Sequence, residues 1–358
     1  MNTHPFIEVA GRKIGLGYPS FIIAELSCNH LQQLDKAKEI IRAAAAAGAD
    51  AIKLQTYTAD TITIDSRKPD FLAGGADNPS DWNQQTLYGL YQQAYTPWEW
   101  HAELKQLIED LGMIFFSTPS DDTAVDFLEE LGTPCYKIAS YAATHIPLLE
   151  RVAKTHKPVI LSTGFATLEE IELAVQTLRE NGAQQIALLH CITTYAKDPD
   201  SGIMNLRTIS DLGERFGVVS GFSDNNAGIE IPIMAVCAGA SIVEKHLMLQ
   251  HADESFDAQF SLDPSELKEM VSRIRHFERL LGQVHYGPAN ASEEHNLRYR
   301  HSIYVVKDMK AGDVFTPGNI RVIRPAFGLA PKHYKNILGK SAKKDIERGT
   351  RLSWELIS

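Results

Sequence analysis

Charged residues lie at the ends of several short apolar runs in this sequence. Glu25 lies in FIIAEL, Lys53 and Gln55 lie in AIKLQ, and Lys137 lies in CYKIAS. Alternate residues of a strand share a face, so Lys53 and Gln55 point the same way, and a buried lysine needs an anionic partner. These side chains predict a pocket for a phosphate or a carboxylate, with Glu25 as acid, base or water-positioning group.

Small hydroxyl residues end other runs and strengthen the prediction of an anion site. They are Ser117, Thr118, Ser140, Ser162, Thr163 and Ser223. One such residue alone is more often part of a turn than a ligand, because turns select serine and threonine. Taken together, the strand ends favour a binding site, to which Lys245 in SIVEKH adds a third lysine.

Two further run ends suggest a metal and a wall of the site. His246 closes SIVEKH, where an imidazole could bind a divalent cation, although a structural histidine fits the pattern nearly as well. In GFSDNNAG, residues 221–228, an apolar run breaks into four polar residues. We interpret this segment as both a turn and a site wall, with Ser223 and Asp224 facing the pocket.

The runs alternate with helical patterns, and their number predicts the architecture. Eight βα units in about 250 residues favour a closed (β/α)₈ TIM barrel over an open doubly wound sheet. We assign residues 1–282 to this α/β domain, with its site at the carboxyl ends of the strands. The long connection 56–96, which holds Trp82, Tyr88, Tyr91 and Tyr95, is predicted to be a lid or a dimer arm.

The remainder of the chain reads as a linker, 283–298, and a small β-rich domain, 299–358. The segments KDMKAGDVFTPGNI (307–320) and KDIERGTRLSWELI (344–357) repeat one pattern of Lys, Asp, Gly and a closing Ile. A domain of about 60 residues is marginal by itself. We therefore expect it to dock on the barrel or on a second subunit.

Composition excludes several classes of function. The formal charge of −10 argues against a nucleic-acid or membrane-surface binder, and no apolar run is long enough for a signal peptide or membrane span, so a cytoplasmic enzyme is expected. The cysteines lie far apart, so we predict reduced, mostly buried thiols, with core roles for Cys191 and Cys237. All four are Cys28, Cys135, Cys191 and Cys237.

Longer motifs at these strand ends resemble the sialic acid synthase family, and most closely its pseudaminic acid synthase branch. The motifs are FIIAELSCNH (21–30), AGADAIKLQTYTADTIT (47–63), YTPWEWH (95–101), FFSTP (115–119), YKIAS (136–140), LSTGFAT (161–167), IVEKHLML (242–249) and DAQFSL (257–262). The segments SIYVVKDMKAGDVFT and RVIRPAFGLAPKHY resemble that family's SAF, or antifreeze-like, domain.

The resemblance implies condensation of phosphoenolpyruvate with an open-chain N-acetylamino sugar, giving a nonulosonic acid and phosphate. It also implies a divalent metal, Mn²⁺ or Mg²⁺, and a domain-swapped homodimer. Catalytic roles would fall to Glu25, Lys53 and Lys137. The implied substrate contacts are Gln55, Thr118, Ser140, Ser162, Thr193, Tyr195, Ser223, Asp257 and Arg300. The implied metal ligands are His246 and Asn225.

The sequence departs from the family pattern on the sugar and metal side. Asn225 replaces a metal-binding histidine, Ala142 replaces a glutamate, and His301 takes the place of an arginine, with Arg300 one step away. An amide oxygen suits Mg²⁺ or Mn²⁺ better than Zn²⁺. These changes leave open a non-catalytic or altered-specificity paralogue, which would bind phosphoenolpyruvate or product and partner an active synthase.

A third hypothesis is a Schiff-base aldolase. It would use Lys53, Lys137 or Lys245 as the nucleophile.

Overall fold

A computed structural model describes residues 4–73, 85–193 and 201–358 of the chain. It divides into two units, Met1–Gly282 and Gln283–Ser358. Within the described ranges, no helix combines the length and apolarity needed to cross a membrane.

Eight parallel strands of the first unit close into a barrel, which confirms the predicted TIM-barrel fold. Their bounds are β3 Phe21–Glu25, β4 Ala51–Thr56, β5 Ile114–Pro119, β6 Tyr136–Ile138, β7 Val159–Ser162, β8 Ile186–Ile192, β9 Val219–Asp224 and β10 Ile242–His246. Strand β10 pairs with both β3 and β9 and so closes the ring. Because helices cover the outside, the strands are buried on both faces and read as continuous apolar runs.

The helices of this unit lie between the strands in the chain, except the last, which follows the final barrel strand. They are α1 Leu34–Ala47, α2 Ala59–Ile62, α3 Leu87–Ala94, α4 His101–Asp110, α5 Asp122–Glu130, α6 Ile146–Ala153, α7 Leu168–Glu180, α8 Thr208–Phe216, α9 Glu230–Cys237 and α10 Pro264–Leu281. Side-chain caps fix several of their first turns. Helices α7 and α10 begin with capping boxes, formed by Thr167 with Glu170 and by Asp263 with Glu266.

An N-terminal hairpin precedes the barrel, and the sequence analysis assigned no element there. Strands β1 (Phe6–Val9) and β2 (Arg12–Gly15) pair antiparallel. Their buried residues Ile7, Val9 and Ile14 pack against the first residues of barrel strands, including Phe21. The hairpin therefore closes the amino end of the barrel, away from the carboxyl ends where the predicted site lies.

The second unit contains α11 Ala291–Asn296, strands β11 Ser302–Val305 and β12 Ile320–Ile323, and α12 Tyr334–Ile337. The predicted linker thus carries a short helix, whose residues are exposed. The two repeated segments pair with each other, because Met309 and Ile346 exchange both backbone hydrogen bonds at 2.9 Å. Both side chains join a separate apolar core with Phe315 and Ile320.

Candidate active site

Glu25 and Lys53 form the first part of a buried charge network inside the barrel. They are register partners on neighbouring strands, so their side chains lie side by side. Lys53 Nζ forms an ion pair with Oε2 of Glu25, and Oε1 of Glu25 accepts hydrogen bonds from Gln55 Nε2 and the Ser27 backbone N–H, both at 3.2 Å. Both charged side chains are almost inaccessible to solvent, at 1% and 7%. The predicted grouping of Glu25, Lys53 and Gln55 is therefore present.

Glu244 joins this network, and the sequence analysis missed it. Its Oε1 lies 3.0 Å from Lys53 Nζ and 3.4 Å from Lys137 Nζ, and accepts a hydrogen bond of 2.9 Å from Ser223 Oγ. Strand alternation in IVEKH could have revealed it. Residues 244 and 246 point to the same face of the strand, and residue 245 points to the opposite face. Glu244 therefore bridges the two pocket lysines and neutralises part of their charge.

Lys137 completes the row of charges and brings a hydroxyl with it. Its ammonium group donates to Ser162 Oγ at 2.7 Å and to the carbonyl of Ile138 at 3.2 Å. Burial lowers the pKa of Lys53 to about 8, with Lys137 adding to the effect and Glu244 opposing it. Burial alone would raise the pKa of Glu244, but Lys137 and Lys53 together hold it well below its ordinary value.

Lys245 and Asp224 do not face this pocket, so the predictions that they do are wrong. They form a fully buried ion pair of 2.8 Å, and Asp224 Oδ1 also accepts from Asn226 Nδ2 at 2.8 Å. Alternation along β9 and β10 decides this, since Ser223 and Glu244 take the inner face and their neighbours must take the other. The pocket contains two lysines of the three predicted.

The two predicted metal ligands differ in their surroundings. His246 Nδ1 is buried, lies 3.4 Å from Asp257 Oδ2, and makes no well-aligned hydrogen bond with the described residues. Asn225 instead donates its amide Nδ2 to Cys191 Sγ at 3.3 Å. Burial would raise the pKa of Asp257, but His246 and the Ser27 hydroxyl lower it. An unsatisfied imidazole nitrogen beside an ionised carboxylate fits a divalent cation.

A second histidine-carboxylate group lies elsewhere on the surface. His251, Asp263 and Glu266 bring their ligand atoms within 4.8 Å of one another. The carboxylates are already engaged in capping α10, since Asp263 accepts from the first turn and Glu266 accepts from the Asp263 backbone N–H. Their arrangement is explained by the helix start.

The remaining predicted substrate residues are distributed over both units. Thr118 Oγ1 is buried and has no hydrogen-bond partner among the described residues. Ser140 and Thr193 both lie against Gly164, because a β-carbon there would come within 2.5 Å of Ser140 Cβ and 3.0 Å of Thr193 Oγ1. Arg300 is exposed in the second unit. The prediction for Tyr195 falls outside the described residues.

The cysteine predictions are correct except at Cys237, which is exposed on α9. Cys191 is buried at the edge of the site, where it lies 3.5 Å from Thr193 Oγ1 in addition to its contact with Asn225. Burial raises the pKa of the Cys191 thiol, which keeps it neutral rather than nucleophilic.

Comparisons with known proteins show the family of the chain. The model of the NeuB family matches residues 40–286, and that of the SAF domain matches residues 300–358. The chain is 42% identical to a pseudaminic acid synthase of Campylobacter jejuni, over 93% of this chain and 95% of that protein. It is 36% identical to an N,N'-diacetyllegionaminic acid synthase of the same species, over 92% of this chain and 97% of that protein.

A solved structure supports the same assignment. The N-acetylneuraminic acid synthetase of Leptospira borgpetersenii, crystallised with citrate, superposes with a TM-score of 0.73 at 32% identity, covering 83% of this chain and 96% of that one. The predicted resemblance to the sialic acid synthases is confirmed, and the chain is an enzyme. With a barrel and a small C-terminal domain that both match, it belongs to the NeuB family.

Proposed function

We propose that the chain condenses phosphoenolpyruvate with a pseudaminic-type amino sugar, a 2,4-diacetamido-2,4,6-trideoxyhexose, to give a nonulosonic acid and phosphate. The observation that carries the proposal is the buried row formed by Glu25, Lys53, Glu244 and Lys137 at the carboxyl end of the barrel strands. Identity of 42% to a pseudaminic acid synthase, against 36% to a legionaminic one, favours this sugar.

Three members of the row, Lys53, Lys137 and Glu25, have a direct task in this reaction. Lys53 and Lys137, with Ser162 and Ser223, would bind the phosphate and carboxylate of phosphoenolpyruvate. C3 of phosphoenolpyruvate then bonds to the aldehyde carbon, water adds at C2, and the C2–O bond to phosphate breaks. Glu25, held by Gln55 and the Ser27 N–H, would orient that water and take its proton.

Charge balance supports a divalent cation in the same site. The two lysines and two glutamates of the row carry no net formal charge, so an anionic substrate adds negative charge that nothing in the row offsets. His246 and Asp257 would hold the cation, which would act as a Lewis acid on the aldehyde oxygen. We assign Asn225 a lesser part, since its amide N–H is directed to Cys191.

We also propose a domain-swapped homodimer, in which the second unit of one chain brings Arg300 to the barrel of the other. The small apolar core of that unit supports the proposal, since a domain of this size gains stability by docking.

Phosphate release tests the proposed reaction. Purified protein with phosphoenolpyruvate, the diacetamido sugar and Mn²⁺ or Mg²⁺ should release one phosphate per sugar consumed, and Glu25→Gln should abolish release. Absence of phosphate release with all acetamido sugars and both metals would refute the proposed synthase activity. Calorimetric binding of phosphoenolpyruvate without turnover would instead favour the non-catalytic paralogue, and borohydride trapping of a lysine with pyruvate would favour the aldolase.

A further inference from the structure

Two aromatic rings stand largely in solvent on loops at the carboxyl end of the barrel. Tyr141 is 66% exposed and Phe165 is 63% exposed, and their rings meet edge to face with centroids 5.3 Å apart. Tyr141 follows β6 and Phe165 follows β7, so both belong to connections on the face that carries the site. An exposed pair of large apolar side chains on such a face indicates a binding surface.

The two loops are in contact directly beside proposed substrate residues. Tyr141 follows Ser140 in the chain, and Phe165 follows Gly164. A β-carbon on Gly164 would lie 2.5 Å from Ser140 Cβ, so the backbones are held close and a larger residue would force the loops apart. The loops that carry the two rings therefore meet next to Ser140 and Thr193.

Within residues 4–73, 85–193 and 201–358, core packing does not account for the rings, which are mostly exposed. The next residues, Ala142 and Ala166, pack against the apolar core between strands and helices. This contact anchors each loop and leaves the ring before it outside. Rings held in water by an anchored backbone are pre-organised for a ligand.

We propose that Tyr141 and Phe165 form an apolar wall that contacts the methyl groups of the sugar and selects methyl-rich acetamido sugars. This inference rests on the proposed function. A 2,4-diacetamido-2,4,6-trideoxyhexose carries two acetamido methyls and a C6 methyl, whereas N-acetylmannosamine carries one acetamido methyl and a C6 hydroxyl. Aromatic faces bind C–H groups well and gain nothing from the extra hydroxyls, which prefer water.

Steady-state kinetics of phosphate release with the two sugars tests the wall. For the variant Tyr141→Ala/Phe165→Ala, we expect KM for the diacetamido sugar to rise about 10- to 100-fold, because each lost apolar contact costs about tenfold. The KM for phosphoenolpyruvate should stay within about twofold. The preference over N-acetylmannosamine should fall, but by less than the KM rises, because that sugar loses the contact of its one acetamido methyl as well. Tyr141→Phe/Phe165→Leu keeps the wall apolar and should stay near the parent.

A matched control lies at the opposite end of the barrel. Phe6 and Tyr18 form another exposed edge-to-face pair, with centroids 6.3 Å apart, on and beside the N-terminal hairpin. Phe6→Ala/Tyr18→Ala should leave both KM values unchanged. The proposal would be wrong if the Tyr141→Ala/Phe165→Ala variant kept the parental KM for the sugar. It would also be wrong if only the molecular mass of that variant, measured by light scattering, changed. An inactive parent would instead count against the proposed function itself.

Discussion

At the scale of single residues, the site is defined by one carboxylate between two ammonium groups. Glu244 contacts Lys53 and Lys137 and accepts a hydrogen bond from Ser223 Oγ, so it is the carboxylate that the two lysines share. Removing one partner of a buried charge group leaves the others uncompensated, which is strongly destabilising. An anionic ligand could replace the missing charge, and this makes the role of Glu244 testable without turnover.

We expect Glu244→Gln to lower the free energy of unfolding by about 2–4 kcal/mol, because two buried ammonium groups lose their shared carboxylate. Added inorganic phosphate should restore more stability to this variant than to the parent. Urea unfolding with and without phosphate measures both effects. Glu109→Gln, which removes a surface pair with Lys105, serves as control and should cost about 0.5 kcal/mol or less. Equal phosphate effects in variant and parent would contradict this account.

Phosphoenolpyruvate affinity should depend on the protonation of Lys53, whose pKa burial lowers to about 8. The cationic form binds an anion, so affinity is full below this pKa and declines above it, by about tenfold per pH unit at most. Calorimetry from neutral to alkaline pH measures the decline. Lys53→Arg retains its charge and should move the decline to higher pH. An affinity independent of pH across this range would argue against Lys53 as the anion ligand.

At the scale of elements, the hairpin β1–β2 stabilises the barrel from the end opposite the site. Val9 and Ile14 are fully buried against the amino ends of the strands, while Glu8 on the same hairpin is exposed. We expect Ile14→Ala to cost about 2–4 kcal/mol of unfolding free energy, and Glu8→Ala about 0.5 kcal/mol or less. Thermal unfolding measures both. The sugar KM of each folded variant should equal that of the parent, and a raised KM would show that the hairpin acts on the site.

At the scale of the whole molecule, the proposed dimer predicts complementation between two inactive variants. In a mixed dimer of Glu25→Gln and Arg300→Ala chains, one barrel keeps its carboxylate and receives an intact second unit. Co-refolded equal mixtures should recover about a quarter of the parental activity, because half of randomly formed dimers are mixed and one of their two sites is intact. Light scattering should give twice the mass of the chain. If the protein is a dimer but the mixture recovers no activity, Arg300 acts in the site of its own subunit or in no site.

The short apolar runs of the sequence, alternating with helical patterns, were enough to predict the barrel. All eight runs became strands, because burial on both faces of a parallel sheet requires near-continuous apolar residues, and strand ends then placed Glu25, Lys53 and Lys137 together. The hairpin was less readable, since its alternation spans only four residues in each strand and lacks the Asn-Gly or Asp-Gly turn typical of hairpins.

The tertiary structure decided which polar residues share the pocket. Lys245 and Asp224 form a buried ion pair on the other face of the strands, and Glu244 lies beside Lys53. The Asn225 amide donates to Cys191. A sequence lists polar residues near strand ends, but the face that each one takes depends on register and closure across neighbouring strands. Those relations join residues far apart in the chain, so only the closed barrel fixes them.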